Sequence, residues 1–246
     1  AHYDFWDDRV RHSILYDACA DILIYGMGER AIMKIADALK AGKPVAEITD
    51  IPGTCVRVSN ADDVKGAVLL HSYTDVAKDK RKYCEAFAVQ AREQDAVRGK
   101  RLLQPHEKGV LLCNPPAKPL LTAEMDEVYA LPYTRKPHPM YRGHIPALDE
   151  VSFSITSARG CFGNCNFCAL TFHQGRVVTG RSHASILVEA EKLTWDPEFK
   201  GYIHDVGGPT ANFRHPACEK QLKSGACADR QCIGFTACKQ LDTSED

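Results

Sequence analysis

Twelve residues constrain this chain more than any others: Ser157-Ala158-Arg159-Gly160-Cys161-Phe162-Gly163-Asn164-Cys165-Asn166-Phe167-Cys168. They place three cysteines at C-x3-C-x2-C spacing inside one short loop. Gly160, Gly163 and Asn164 suit a backbone that curls tightly and passes through positive φ. The run Val151 to Thr156 leads in and reads as a strand. A loop of this composition can wrap a bound group and turn three sulfurs towards it.

A cubane iron–sulfur cluster is normally held by four cysteines, so three thiolates leave one corner without a protein ligand. An open coordination position separates a catalytic metal centre from a structural one. Two plainer readings stand beside it. Three thiols can be buried without any ligand. Zinc can be held by the same cysteines with His173, which follows Cys168 after four intervening residues. Zinc ligands usually come as two short-spaced couples, which favours iron–sulfur here.

The chain has 246 residues, room for one large domain or two small ones, and a net charge of -1 that gives no pull towards nucleic acid or an anionic membrane. No apolar run reaches membrane-spanning length. Eleven cysteines, an odd number with no secretory signal, favour metal-bound or reduced thiols and a reducing compartment, the cytoplasm.

Asp21 to Tyr25, Gly26 to Glu29 and the helical pattern Ile32, Ile35, Ala36, Leu39 form a strand–turn–helix unit, ended by Gly42 and Pro44. Gly26, Gly28 and Ala31 also match G-x-G-x-x-A, but Glu47 and Asp50 are poorly placed for the acidic partner of a dinucleotide site. Cys55 to Val58 and Ala67 to Leu70 read as strands of a hairpin across Asn60 to Asp63. Ser72-x-x-Asp75 caps one long helix reaching about Arg98. Prolines crowd residues 105–150, where Val110 to Cys113 is the one expected strand. After the cysteine loop, Ser182 caps a helix with Ile186, Leu187, Ala190 and Leu193 on its apolar face. Gly201 to Val206 is then a second strand, so Val151 to Val206 makes one βαβ unit. Cys218, Cys227, Cys232 and Cys238 form a second cysteine set that suits a metal staple, iron–sulfur or zinc, or plain thiols.

The Cys161, Cys165, Cys168 spacing resembles the signature of radical S-adenosylmethionine (SAM) enzymes. Further stretches resemble the YgiQ-type branch: Ala1 to Trp6, Tyr25 to Arg30, Leu131 to Tyr133, His173 to Arg176, Asp205 to Asn212 and the four-cysteine tail. The resemblance implies a 4Fe-4S cluster on Cys161, Cys165 and Cys168, with SAM on the remaining iron. It implies Phe167 against the adenine, and Gly207 and Gly208 at the methionine end, although Pro209 stands where a glutamate is common. It implies an electron donor of flavodoxin or ferredoxin type and names no substrate. The implied fold is α/β. Residues 1–60 would close a cobalamin-binding-like unit, 61–150 connect, and 151–246 begin a radical SAM (β/α) barrel. Nothing in the chain supports cobalamin itself. A barrel needs about 200 residues or more, so the chain reads as an internal fragment.

Overall fold

A computed structural model describes residues 1–208 and 213–244. Two strands, β1 (His2–Asp4) and β2 (Arg9–Arg11), pair antiparallel at the start. Helix α1 (Ile14–Asp17) follows, capped by the Ser13 hydroxyl. Strand β3 (Ile22–Ile24) turns into α2 (Glu29–Lys40) as the sequence pattern requires. The buried face of α2 is not the expected one. Ala31 and Ile35 pack with Ile48 and Ile51 and against Ile22 and Ile24, while Ile32 and Leu39 are about half exposed. The helix is rotated so that Ala31, Ile35 and Ala38 form its packed face.

Strands β4 (Thr54–Val58), β5 (Val68–Leu69), β6 (Leu102–His106) and β7 (Gly109–Cys113) complete a five-stranded sheet in the order β3-β4-β7-β6-β5. All neighbours are antiparallel except β5 and β6. The expected β4–β5 hairpin is therefore corrected: β7 occupies the edge of β4, and the chain crosses to the far side of the sheet before β5. The G-x-G-x-x-A reading is corrected too. β3 pairs only antiparallel among the described residues, so no parallel βαβ unit surrounds the glycines.

The long helix expected from Ser72 is two, α3 (Tyr73–Lys78) and α4 (Lys80–Glu93). Asp79 breaks it by leaving helical geometry and accepting hydrogen bonds from the backbone N–H groups of Arg81 and Lys82. The proline-rich region holds more structure than its composition suggests. Pro105 sits inside β6, tolerated because β5 reaches only as far as Leu103 along that edge. Residues Ala1–Lys118, Phe172–Gly175 and Lys223–Arg230 form one compact unit, which includes this sheet.

The other unit comprises Pro119–Thr171, Arg176–Leu222 and Gln231–Asp246, within the described residues. It begins with α5 (Thr122–Ala130) and α6 (Pro146–Val151). Val151 thus ends a helix, and the strand expected from it starts later, as β8 (Ser154–Thr156). In chain order β9 (Ala158–Arg159), α7 (Leu170–Gln174), β10 (Thr179–Gly180), α8 (His183–Thr194), β11 (Asp205–Gly207) and α9 (Glu219–Ser224) follow, although residues 172–174 of α7 and 223–224 of α9 belong to the first unit. β8 and β11 pair in parallel, with α8 between them in sequence. This is the βαβ unit expected from the sequence, except that its second strand is Asp205–Gly207 rather than Gly201 to Val206, and the fold class is α/β. Among the described residues no helix is long and apolar enough to cross a membrane.

Candidate metal centre

The cysteine loop is clamped at both ends. β9 and β10 pair antiparallel, Arg159 opposite Thr179 and Ala158 opposite Gly180. Gly160 follows at φ +92°, and a Cβ there would lie 2.5 Å from the Val177 carbonyl oxygen. Only glycine fits such a position, because an L side chain is strained at that φ and blocked by backbone. Beneath the loop, Phe162 is buried with Ala158, Val178, Ala217 and Cys232, and stacks on Phe213 at 3.9 Å.

The three thiols sit at different depths: Cys161 buried, Cys168 half-buried, Cys165 exposed. Asn164, at φ +52°, carries the chain through the left-handed region between Cys161 and Cys165. The Cys168 amide then donates to the Cys165 carbonyl at 3.0 Å. The Gly163 amide points at the Cys161 sulfur at 3.4 Å. A Cβ on Gly163 would stand 3.4 Å from the Cys161 sulfur and 3.6 Å from that of Cys165. The missing side chain is thus a gap flanked by two thiols. Phe167 is almost fully exposed.

Among the described residues no three Cys, His, Asp or Glu side chains gather closely enough to hold one metal ion. A cubane makes a different demand: its thiolates bind separate irons and stand further apart than ligands of a single ion. Three thiols on one turn, two of them flanking a glycine-made gap, fit such a cluster.

Gly207 ends β11 directly opposite Thr156 of β8. Its carbonyl accepts from the Ser157 amide at 2.9 Å, so the start of the cysteine loop is tied to the Gly207-Gly208 turn. Gly207 is buried and Gly208 half-buried. Pro209 to Asn212 lie outside the described residues. Both loops leave the C-terminal ends of neighbouring parallel strands, the place where open α/β sheets and β/α barrels bind ligands.

Of the second cysteine set, Cys218, Cys232 and Cys238 belong to this unit and Cys227 to the other. The Gln221 side chain, buried, donates to the Cys232 sulfur at 3.6 Å and accepts from the Ala217 amide at 3.0 Å. The Cys238 amide donates to the Cys232 carbonyl at 3.0 Å. No metal-holding group forms from the set among the described residues. Cys232 instead packs in the apolar cluster beneath Phe162.

One group of residues escaped the sequence reading. Arg181 is buried and bonds to Glu189, the Thr156 carbonyl at 3.0 Å and the Ser185 carbonyl at 3.1 Å; its Cζ lies 4.3 Å from the Tyr129 ring centre. Its own amide donates to the Ser157 carbonyl at 2.8 Å. Arg135 bonds to the other oxygen of Glu189. Arg181 therefore holds the exit of β8, where the cysteine loop begins, against α8. The sequence held one signal for it: Glu189 lies at i+3 from Ile186 and i−4 from Leu193, a carboxylate within the expected apolar stripe. Nearby, burial works against ionisation of Asp126, but hydrogen bonds from Ser182 and Ser185 with the charge of Arg181 together outweigh it and hold the carboxyl below its usual range. A cavity of about 730 Å³ lies between α5 and α8, with Tyr129, Arg135, Glu189 and Trp195 among its walls and none of the cysteines.

Residues 1–154 match the family model described as "Radical SAM N-terminal". A UPF0313 protein of Clostridium botulinum (strain ATCC 19397 / Type A) is 53% identical over 243 residues, covering 98% of this chain and 38% of the relative. One from Clostridium perfringens (strain SM101 / Type A) is 51% identical over 245 residues, covering 98% and 37%. The chain therefore spans well under half the length of these relatives.

Proposed function

Because the chain belongs to the radical SAM N-terminal family, we propose that it carries the cluster-binding part of a radical SAM enzyme. Cys161, Cys165 and Cys168 hold three irons of a 4Fe-4S cluster and leave one corner for SAM. When bound, the cluster supplies the electron that cleaves the SAM sulfonium bond to give a 5′-deoxyadenosyl radical. The chain's own residues place the partners and keep water out. Gly163 keeps the space beside the Cys161 and Cys165 sulfurs open. Gly207 and Gly208 offer a turn without side chains to the methionine end of SAM. Phe167 presents its ring to the adenine. A flavodoxin- or ferredoxin-type protein donates the electron.

The observation that carries this reading is a juxtaposition. A three-thiol turn and a Gly-Gly turn, about fifty residues apart in sequence, leave adjacent ends of two parallel strands joined by the Ser157–Gly207 hydrogen bond. On this reading β8–α8–β11 is the first βαβ of a (β/α) barrel, and β3–turn–α2 is the end of a cobalamin-binding-like unit.

The test is anaerobic reconstitution with iron and sulfide, followed by EPR of the reduced protein with and without SAM. A cubane signal that changes on adding SAM is expected, in this chain and in a full-length relative. It should be lost in Cys161→Ser, Cys165→Ser and Cys168→Ser. A cubane signal indifferent to SAM in the full-length protein rejects the proposal. Stoichiometric zinc and no iron in the purified protein would instead support a non-catalytic metal-stapled module.

A further inference from the structure

Two other cysteines, remote in sequence from the loop, meet in the five-stranded sheet. Cys55 of β4 and Cys113 of β7 are direct register partners in an antiparallel ladder. Their sulfurs are 3.0 Å apart, closer than two non-bonded sulfurs normally rest. Directly opposed residues in such a ladder have Cα atoms about 4.5–5.5 Å apart, within the span a disulfide bridges. Both cysteines line a cavity of about 360 Å³, together with Leu23, Tyr25, Gln104 and Asn114. Cys55 is buried and Cys113 half-buried. By contrast Cys19 and Cys84 are exposed at the surface.

We propose that Cys55 and Cys113 form a dithiol–disulfide exchange site for low-molecular-weight disulfides, reached through the cavity that both cysteines line. The two sulfurs have unequal roles. The hydrogen bond from Cys55 holds the Cys113 thiol below its ordinary range, while that same bond and burial push Cys55 up. Cys113 is therefore the thiolate that attacks. Its sulfur bonds to one sulfur of the small disulfide, the S–S bond breaks, and one small thiol leaves with a proton. Cys55 then loses its proton and attacks the Cys113 sulfur of the mixed disulfide, releasing the second small thiol. The protein pair gives up two protons and two electrons, and the small disulfide takes them as two thiols. The reverse exchange, with small thiols in excess, restores the dithiol. The product joins two neighbouring strands inside the sheet, so it needs no strand to move apart. Nothing in this site depends on the cysteine loop at residues 161–168.

The experiment uses glutathione disulfide as probe. The reduced chain is exposed to it anaerobically, quenched by alkylation, and digested with trypsin without reduction. Residues 41–57 and 109–135 are tryptic peptides that each carry one cysteine, Cys55 and Cys113. Linked 41–57/109–135 is expected as a dominant product, at least about tenfold more abundant than from the urea-unfolded chain, because the thiols are pre-aligned only when folded. Cys55→Ser should trap glutathione on Cys113, whereas Cys113→Ser should leave Cys55 far less modified than Cys19 or Cys84. The unsubstituted chain decides the matter even if a variant fails to fold. Linkage no greater in the folded than in the unfolded chain, or glutathione found on Cys55 rather than Cys113, overturns the proposal.

Discussion

Replacing Arg181 with methionine removes the charge that ties β8 to α8 and leaves the apolar stem in place. The Arg181 side chain is 1% exposed and that of Glu189 is 8%. Removing one partner of a buried pair costs about 3–5 kcal/mol, because the remaining charge is stranded in a poorly solvated place. Arg135 still reaches Glu189, which favours the lower end. The Thr156 and Ser185 carbonyls also lose a donor, which pushes the cost back up. We expect about 3–4 kcal/mol for Arg181→Met. Hydrogen exchange of the α8 amides reads this directly, since local opening free energy sets their protection. Exchange over residues 183–194 should accelerate by about a hundredfold or more. The double variant Arg181→Met with Glu189→Met should recover at least about half of the loss, as paired removal leaves no buried charge stranded and Arg135, whose side chain is 32% exposed, keeps water around it. Acceleration under about tenfold, or a double variant as unstable as the sum of the singles, would refute the reasoning.

Gly160→Ala should cost about 3 kcal/mol, from positive-φ strain and the clash with the Val177 carbonyl, as measured by urea unfolding. Gly163→Ala should leave stability within about 1 kcal/mol, its Cβ meeting the sulfurs only at contact distance, yet lower iron incorporation on reconstitution. Equal iron loading by wild type and variant would remove Gly163 from the site. Ser182→Ala should destabilise α8 by about 1 kcal/mol through loss of its N-cap bond to the Ser185 amide, read as faster exchange in the first turn. Asp75 is held down to about 2 by hydrogen bonds from Lys82 and Ser72. A carboxyl with a depressed folded pKa stabilises above its unfolded value and loses that contribution as pH falls, here between about pH 4 and pH 2. Asp75→Asn should flatten the acid loss of α3 protection in that window.

The cysteine loop was readable because it is local. Cys161, Cys165 and Cys168 share one turn, and Gly160, Gly163 and Asn164 announce its curvature, so neighbouring residues carry the whole message. The caps at Ser72 and Ser182 are equally local, each resolved within four residues of sequence. The parallel pairing of β8 and β11 also followed, since a strand–helix–strand run has one strongly favoured way to close. Elsewhere local reading failed for identifiable reasons. Asp79 broke a helix that periodicity alone extended. Pro105 reads as a breaker, yet it stands inside β6 at a position that has no ladder partner on the β5 side.

Composition and spacing thus determined a thiol-lined loop at the end of a βαβ strand, because those features depend on backbone reach and residue type over short distances. Tertiary structure alone decided the sheet order β3-β4-β7-β6-β5, which matches edges as far apart as Cys55 and Cys113, 58 residues, by burial rather than by any local signal. It also decided the pairing of Cys55 with Cys113 and of Arg181 with Glu189, since a buried partner is chosen by what packing brings within hydrogen-bond reach.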